Sequence, residues 1–153
     1  MRSIENTLAL WLVGLFSAEQ VKDCASAEIA SASEPREELF DLVRYGPAEC
    51  FKRAEHDFPL RPGTLSYLHE FSIRALSVSL SSSESALQFA IWAARNCIGQ
   101  ELGTQAEQLG YRLDHLMYDC HDKEAAVALV QRELPLLLSE CHAIAQPFSE
   151  TGA

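Results

Sequence analysis

Apolar residues recur every three or four positions along almost the whole of this chain, and between the runs stand residues that start or stop helices. That rhythm confines the fold to helices packed on helices. The first run, Ile4 to Phe16, places Leu8, Leu12 and Leu15 on one side with Trp11 adjoining. Ser17 then stands three residues before Gln20, the spacing of a capping box, and Val21, Cys24, Ala25 and Ile29 give the second helix its apolar face. Pro35 suits the first turn of a third helix and Gly46 its left-handed stop, with Leu39, Leu42 and Val43 inward. A short helix is expected from Pro47 to about Glu55, and Phe58-Pro59-Leu60-Arg61-Pro62-Gly63 cannot continue it.

Thr64 can cap the next helix, lined by Leu65, Leu68, Ile73, Leu76 and Leu80. The serines Ser81-Ser82-Ser83 break it and cap another, carrying Leu87, Ile91, Ala94 and Ile98 with Trp92 beside them, and Gly99 ends that one. Ser77-Val78-Ser79-Leu80 alternates like a strand, but it is too short and isolated to outweigh its surroundings. Asp122 caps a long final helix with Ala126, Leu129, Val130, Leu134, Leu137, Leu138 and Cys141 buried and a bend expected at Pro135. The expectation is an all-α, single-domain bundle of about seven to eight helices over residues 1–146. Residues 147–153 are expected to form a frayed tail.

The chain has 153 residues, enough to bury a core without disulfides or a metal, and no repeat or linker divides it. Nothing approaches the roughly 18 consecutive apolar residues of a membrane span. Thr7 to Phe16 could imitate the core of a signal peptide cleaved near Ala25-Ser26-Ala27. Glu5 in the would-be basic leader, and Glu19, Lys22 and Asp23 before the cleavage site, oppose that reading. Five widely spaced cysteines, Cys24, Cys50, Cys97, Cys120 and Cys141, fit a reduced protein, so a cytoplasmic location is expected. A formal net charge of −10 disfavours nucleic acid and anionic membranes as direct ligands and favours a cationic partner.

Between Ala106 and Cys120 two stripes share one helix. Ala106, Leu109, Leu113, Leu116, Met117 and Cys120 make the core side; Glu107, Tyr111, Asp114 and Tyr118 make the other, with His115 at its rim. Tyrosines flanked by carboxylates either pack on another element of the chain or meet a partner protein. A second candidate is the acidic ridge of Glu34, Glu37, Glu38 and Asp41, at spacings of three and four residues opposite Leu39, Leu42 and Val43. Its bland reading is a solvated face with Arg36 and Arg44 nearby.

No catalytic residues are assigned. There is no nucleophile elbow, no Gly-rich phosphate loop and no catalytic cysteine signature. His56, Asp57, His69, Glu70 and His115 could supply a dispersed acid and base, with His56 and Asp57 the pair to inspect first. Cys120-His121, Cys141-His142 and the pair His115 and Asp119 resemble metal ligands only superficially. Neighbouring helical residues point about 100° apart, and Cys120 and Cys141 fall on core stripes. No metal and no cofactor is expected.

From Leu10 to Leu42 the chain carries Gly14-Leu15-Phe16-Ser17-Ala18-Glu19, then a second helix, then Glu34-Pro35-Arg36-Glu37-Glu38-Leu39. This stretch resembles the opening of small helical immunity proteins that accompany secreted bacterial toxins. The resemblance implies a cytosolic, non-enzymatic inhibitor that covers the toxin's active surface, and it carries over no set of binding residues. On this expectation the partner is a cognate protein toxin with a basic surface, met by Glu34, Glu37, Glu38, Asp41, Glu107, Tyr111, Asp114, His115 and Tyr118. The alternatives are a small helical-bundle hydrolase or metal-dependent enzyme, recognisable by a closed His and carboxylate pocket, and an adaptor or secretion chaperone with an exposed apolar groove.

Overall fold

The computed structural model of the protein describes residues 2–54 and 58–149; His56 and Asp57 lie outside the described residues. All regular structure among the described residues is helical: α1 (Ile4–Leu12), α2 (Ala18–Ser31), α3 (Glu37–Tyr45), α4 (Pro47–Ala54), α5 (Tyr67–Leu76), α6 (Ser83–Asn96), α7 (Gln105–Asp114) and α8 (Lys123–Ala145). A π turn, His115–Asp119, extends α7, and a 3₁₀ turn, Gln146–Phe148, comes after α8. The helices divide into two compact units, Met1–Leu65 with Pro147–Ala153, and Ser66–Gln146.

In the first unit Ile4 and Leu8 of α1, Val21 and Ala25 of α2, and Leu39 and Leu42 of α3 close on each other with Cys50, Phe58 and Leu60. Helix α1 ends earlier than its apolar run. Gly14 turns the chain at φ +77°, and the amides of Leu15 and Phe16 both donate to the carbonyl of Leu10, so Leu12 is left 65% exposed. The Ser17 capping box forms as its spacing predicts: Ser17 Oγ accepts from the amide of Gln20, and the Gln20 side chain accepts from the amide of Ser17. Pro35 lies outside α3, because Arg36 occupies the cap with extended backbone (ψ 136°) and reaches Glu5 and Glu28, each at 2.7 Å. Of the segment expected to fray, residues 147–149 are described, and there Phe148 is buried and its carbonyl accepts from Arg2 Nε.

The second unit has an aromatic centre. Tyr67 stacks on Trp92 with centroids 5.4 Å apart, and Phe71 meets Phe89 edge-on at 5.1 Å. Here Ser66, not Thr64, caps α5, so Tyr67, Phe71 and Ala75 turn inward while Leu68 and Leu76 lie at the side. Helix α6 likewise presents Ala86, Phe89, Ala90, Ala93 and Ala94. The stripe expected through Leu87 and Ile91 is only half-buried, and Ile98, beyond the helix end, is 71% exposed. Small residues let α7 approach closely: a Cβ on Gly110 would stand 2.8 Å from Cys97 Cβ and 3.3 Å from the carbonyl of Ala93. Helix α8 buries the stripe read from sequence except Leu138, which is half-buried, and is capped by Asp122 Oδ1 accepting from the amide of Ala125. No helix among the described residues is long and apolar enough to cross a membrane.

Candidate functional site

The acidic ridge is shorter than its sequence spacing implies. Glu34 precedes α3, while Glu37, Glu38 and Asp41 lie on it, with Glu37 and Asp41 exposed one turn apart. Arg36, expected as a screening neighbour, is turned toward Glu5 and Glu28 instead. Burial pushes the Glu5 carboxyl up, but the hydrogen bond and charge of Arg36 outweigh it and hold Glu5 below its ordinary value. Arg44 lies with its guanidinium 5.1 Å from the Tyr45 ring centre. Among the described residues none of Glu34, Glu37, Glu38 and Asp41 joins an ion pair with a cation. Between them stands Phe40, 51% exposed. The position of this ring, one residue beyond Leu39, puts it about 100° off the core stripe, which the spacing alone already implies.

The tyrosine stripe of α7 is largely taken up within the second unit. The Tyr111 hydroxyl donates to the carbonyl of Gln100 (2.9 Å), and its half-buried ring packs at the edge of the core. Glu107 accepts from the amide of Gly103 (3.0 Å), and Gln108 Nε2 donates to the carbonyl of Leu102 (3.2 Å). These bonds hold the turn between α6 and α7 against α7. Asp114 lies half-buried near Cys97, where its charge adds to the burial that pushes that thiol up. Tyr118 keeps a 42% exposed ring, and its hydroxyl accepts from Arg95 Nε (3.1 Å).

Two further sequence-derived acid and base candidates are occupied by structure. The His69 amide donates to Ser66 Oγ, and its ring completes the α5 cap. Glu70 accepts from Arg74 and, at 3.1 Å, from Trp92 Nε1.

The π turn corrects the place of Cys120. In it the amide of Cys120 donates to the carbonyl of His115, five residues back, at 3.0 Å. The inserted residue rotates the chain beyond it by about 100° relative to an unbroken helix, so Met117 stays buried and Cys120 leaves the core for the surface. There His115 Nδ1 lies 2.9 Å from Asp119 Oδ2, and His115 Nε2 lies 3.4 Å from Cys120 Sγ. The carboxylate can only accept, so Nδ1 carries a proton toward Asp119 and Nε2 faces the thiol. The two ring nitrogens point opposite ways, so the three groups do not converge on one ion. Among the described residues no group of three or more His, Cys, Asp or Glu is arranged to hold a metal.

Beside this cluster an open groove of about 650 Å³ runs between α7 with its π turn and α8. Leu116 and Leu129 line it with Arg112, His115 and Arg132. Both arginines lean on the single carboxylate of Glu133, at 3.6 and 3.5 Å. Comparison with family models, curated proteins and solved structures finds no match for the chain.

Proposed function

We propose that this chain is an immunity-type inhibitor, a cytoplasmic protein without catalytic turnover that neutralises a secreted toxin by laying the outer face of α3 over the toxin's basic surface. One observation supports this reading above the rest: a row of carboxylates without cation partners among the described residues, set around an exposed phenylalanine. Unscreened carboxylates steer a cationic surface into encounter, and an aromatic ring among them supplies the desolvated anchor that holds it. In this reading Glu37 and Asp41 flank the anchor Phe40, Glu38 lies at the edge, and Glu34 meets the partner from the segment before the helix. The α7 stripe of the second unit is a separate candidate surface, in which Tyr118 has the exposed ring, Glu107, Tyr111 and Asp114 shape the surface under it, and His115 sits at its rim.

The experiment is a titration of the purified chain against the protein that co-purifies with it from its own cell or is encoded by the neighbouring reading frame, at low and high salt. A complex is expected whose affinity falls with salt. The double variant Phe40→Ala with Asp41→Lys should lose about 100-fold in affinity, roughly 2.7 kcal/mol, with its melting temperature nearly unchanged. Wild-type affinity in that variant would remove α3 from the interface. Absence of any complex would remove the inhibitor reading.

A further inference from the structure

We propose that Cys120 is a site of thiol–disulfide exchange, activated by His115 and positioned by Asp119, that takes low-molecular-weight disulfides carrying carboxylates. A nucleophile in reach of a base, with the base oriented by a third group, is the arrangement that activates a thiol. Here all three residues lie within six positions, and the π turn assembles them. Cys120 is also the exposed cysteine of the five. Cys50, Cys97 and Cys141 are buried, which pushes their thiols up and closes them to reagents. Cys24 is half-buried, with Thr7 Oγ1 at 3.2 Å from its sulfur.

The surroundings select the reaction. Attack on a carbonyl needs paired amide donors for the oxyanion, and of the amides beside the thiol those of Cys120 and Asp122 already donate, to His115 and Leu116, leaving at most that of His121. Displacement at sulfur develops no oxyanion and needs only a thiolate and access. Cys120 passes its proton to His115 Nε2, and Sγ attacks one sulfur of the disulfide R–S–S–R. The Cys120–S–S–R bond forms as the old S–S bond breaks, and the departing thiolate takes the proton from His115 to leave as RSH. Cys120 is oxidised and the small disulfide is reduced. Charge then selects the disulfide: Asp119 is engaged by His115, whereas Arg112 and Arg132 share one carboxylate in the groove that His115 also lines, so the excess positive charge lies on the groove side of the site.

The test treats the full chain with oxidised glutathione and, separately, with cystamine, a cationic disulfide, following adducts by intact mass and peptide mapping. One glutathionyl group is expected, on Cys120, formed several-fold faster than the cystamine adduct, and Cys120→Ser should take none. His115→Gln should slow the reaction by at least about tenfold. Asp119→Asn should slow it about threefold, with Asp119→Glu recovering part of the loss, and Arg112→Ala with Arg132→Ala should erase the preference for the anionic reagent. Circular dichroism establishes that each variant is folded. First labelling of another cysteine, or wild-type rates in both His115→Gln and Asp119→Asn, would overturn the activated site; equal rates with the two reagents would overturn the charge selection. None of these outcomes bears on the α3 face, which the reagents do not involve.

Discussion

Tyr111 and Tyr118 share one helical stripe, yet their hydroxyls do different work. Tyr111, with its ring half-buried at the edge of the core, donates to the Gln100 carbonyl and so makes one of the side-chain bonds that hold that turn against α7. Tyr118 accepts from an exposed arginine that water can replace as partner. Tyr111→Phe should therefore cost about 1 kcal/mol in a urea melt, the ordinary worth of one intramolecular hydrogen bond. Tyr118→Phe should stay within about 0.5 kcal/mol, as exposed substitutions do. Equal losses would mean that the exposed ring is as structural as the half-buried one. Spacing revealed that these side chains point away from Leu109 and Leu113, but not that α6 and its following turn lie opposite. Phe40 shows the converse: its position off the core stripe was legible, but the charges on either side of it masked the ring.

At the scale of the element, helix starts were legible where a cap closes on its own segment. Ser17 and Gln20 satisfy two amides reciprocally with no help from the rest of the chain, and Asp122 does so singly for α8. Ser17→Ala should accordingly cost about 1 kcal/mol, read as a lower melting temperature with unchanged helical content at low temperature. No change would mean that water caps α2 equally well. Starts were misplaced where packing chose between equivalent residues. Thr64 and Ser66 can both cap, and Ser66 prevails because only then do Tyr67 and Phe71 enter the core with His69 closing the box. Pro35 could open a helix, but Arg36 is bound to Glu5 and Glu28 and keeps its backbone extended. The π turn was invisible because nothing in the order of residues distinguishes a five-residue hydrogen bond from a four-residue one. The pair His115 and Asp119 was legible from its spacing, but the exposure of Cys120 beside it was hidden with the π turn.

For the whole molecule, the all-helical architecture followed from periodicity, and the partition into two units did not. Composition is alike on both sides of Leu65, and the Pro-rich segment before it reads as an ordinary loop. The partition lies in which residues share a core. Every buried member of the aromatic cluster belongs to Ser66–Gln146, which is also continuous in sequence. The first unit is discontinuous, since Pro147 and Phe148 group with it and their carbonyls accept from Asn6 and Arg2. A continuous segment with its own core of Phe71, Phe89, Leu113, Val130 and Leu134 meets the conditions for independent folding, although at this size its stability is expected to be only a few kcal/mol. Residues 66–146 expressed alone should give a helical circular dichroism spectrum and a sigmoidal urea transition, with Trp92 fluorescence following the same curve. A linear, non-cooperative loss of helix would show that the aromatic cluster depends on the remainder of the chain. Residues 2–65 alone should be the weaker fragment, because they lack Pro147 and Phe148, whose carbonyls accept from Asn6 and Arg2.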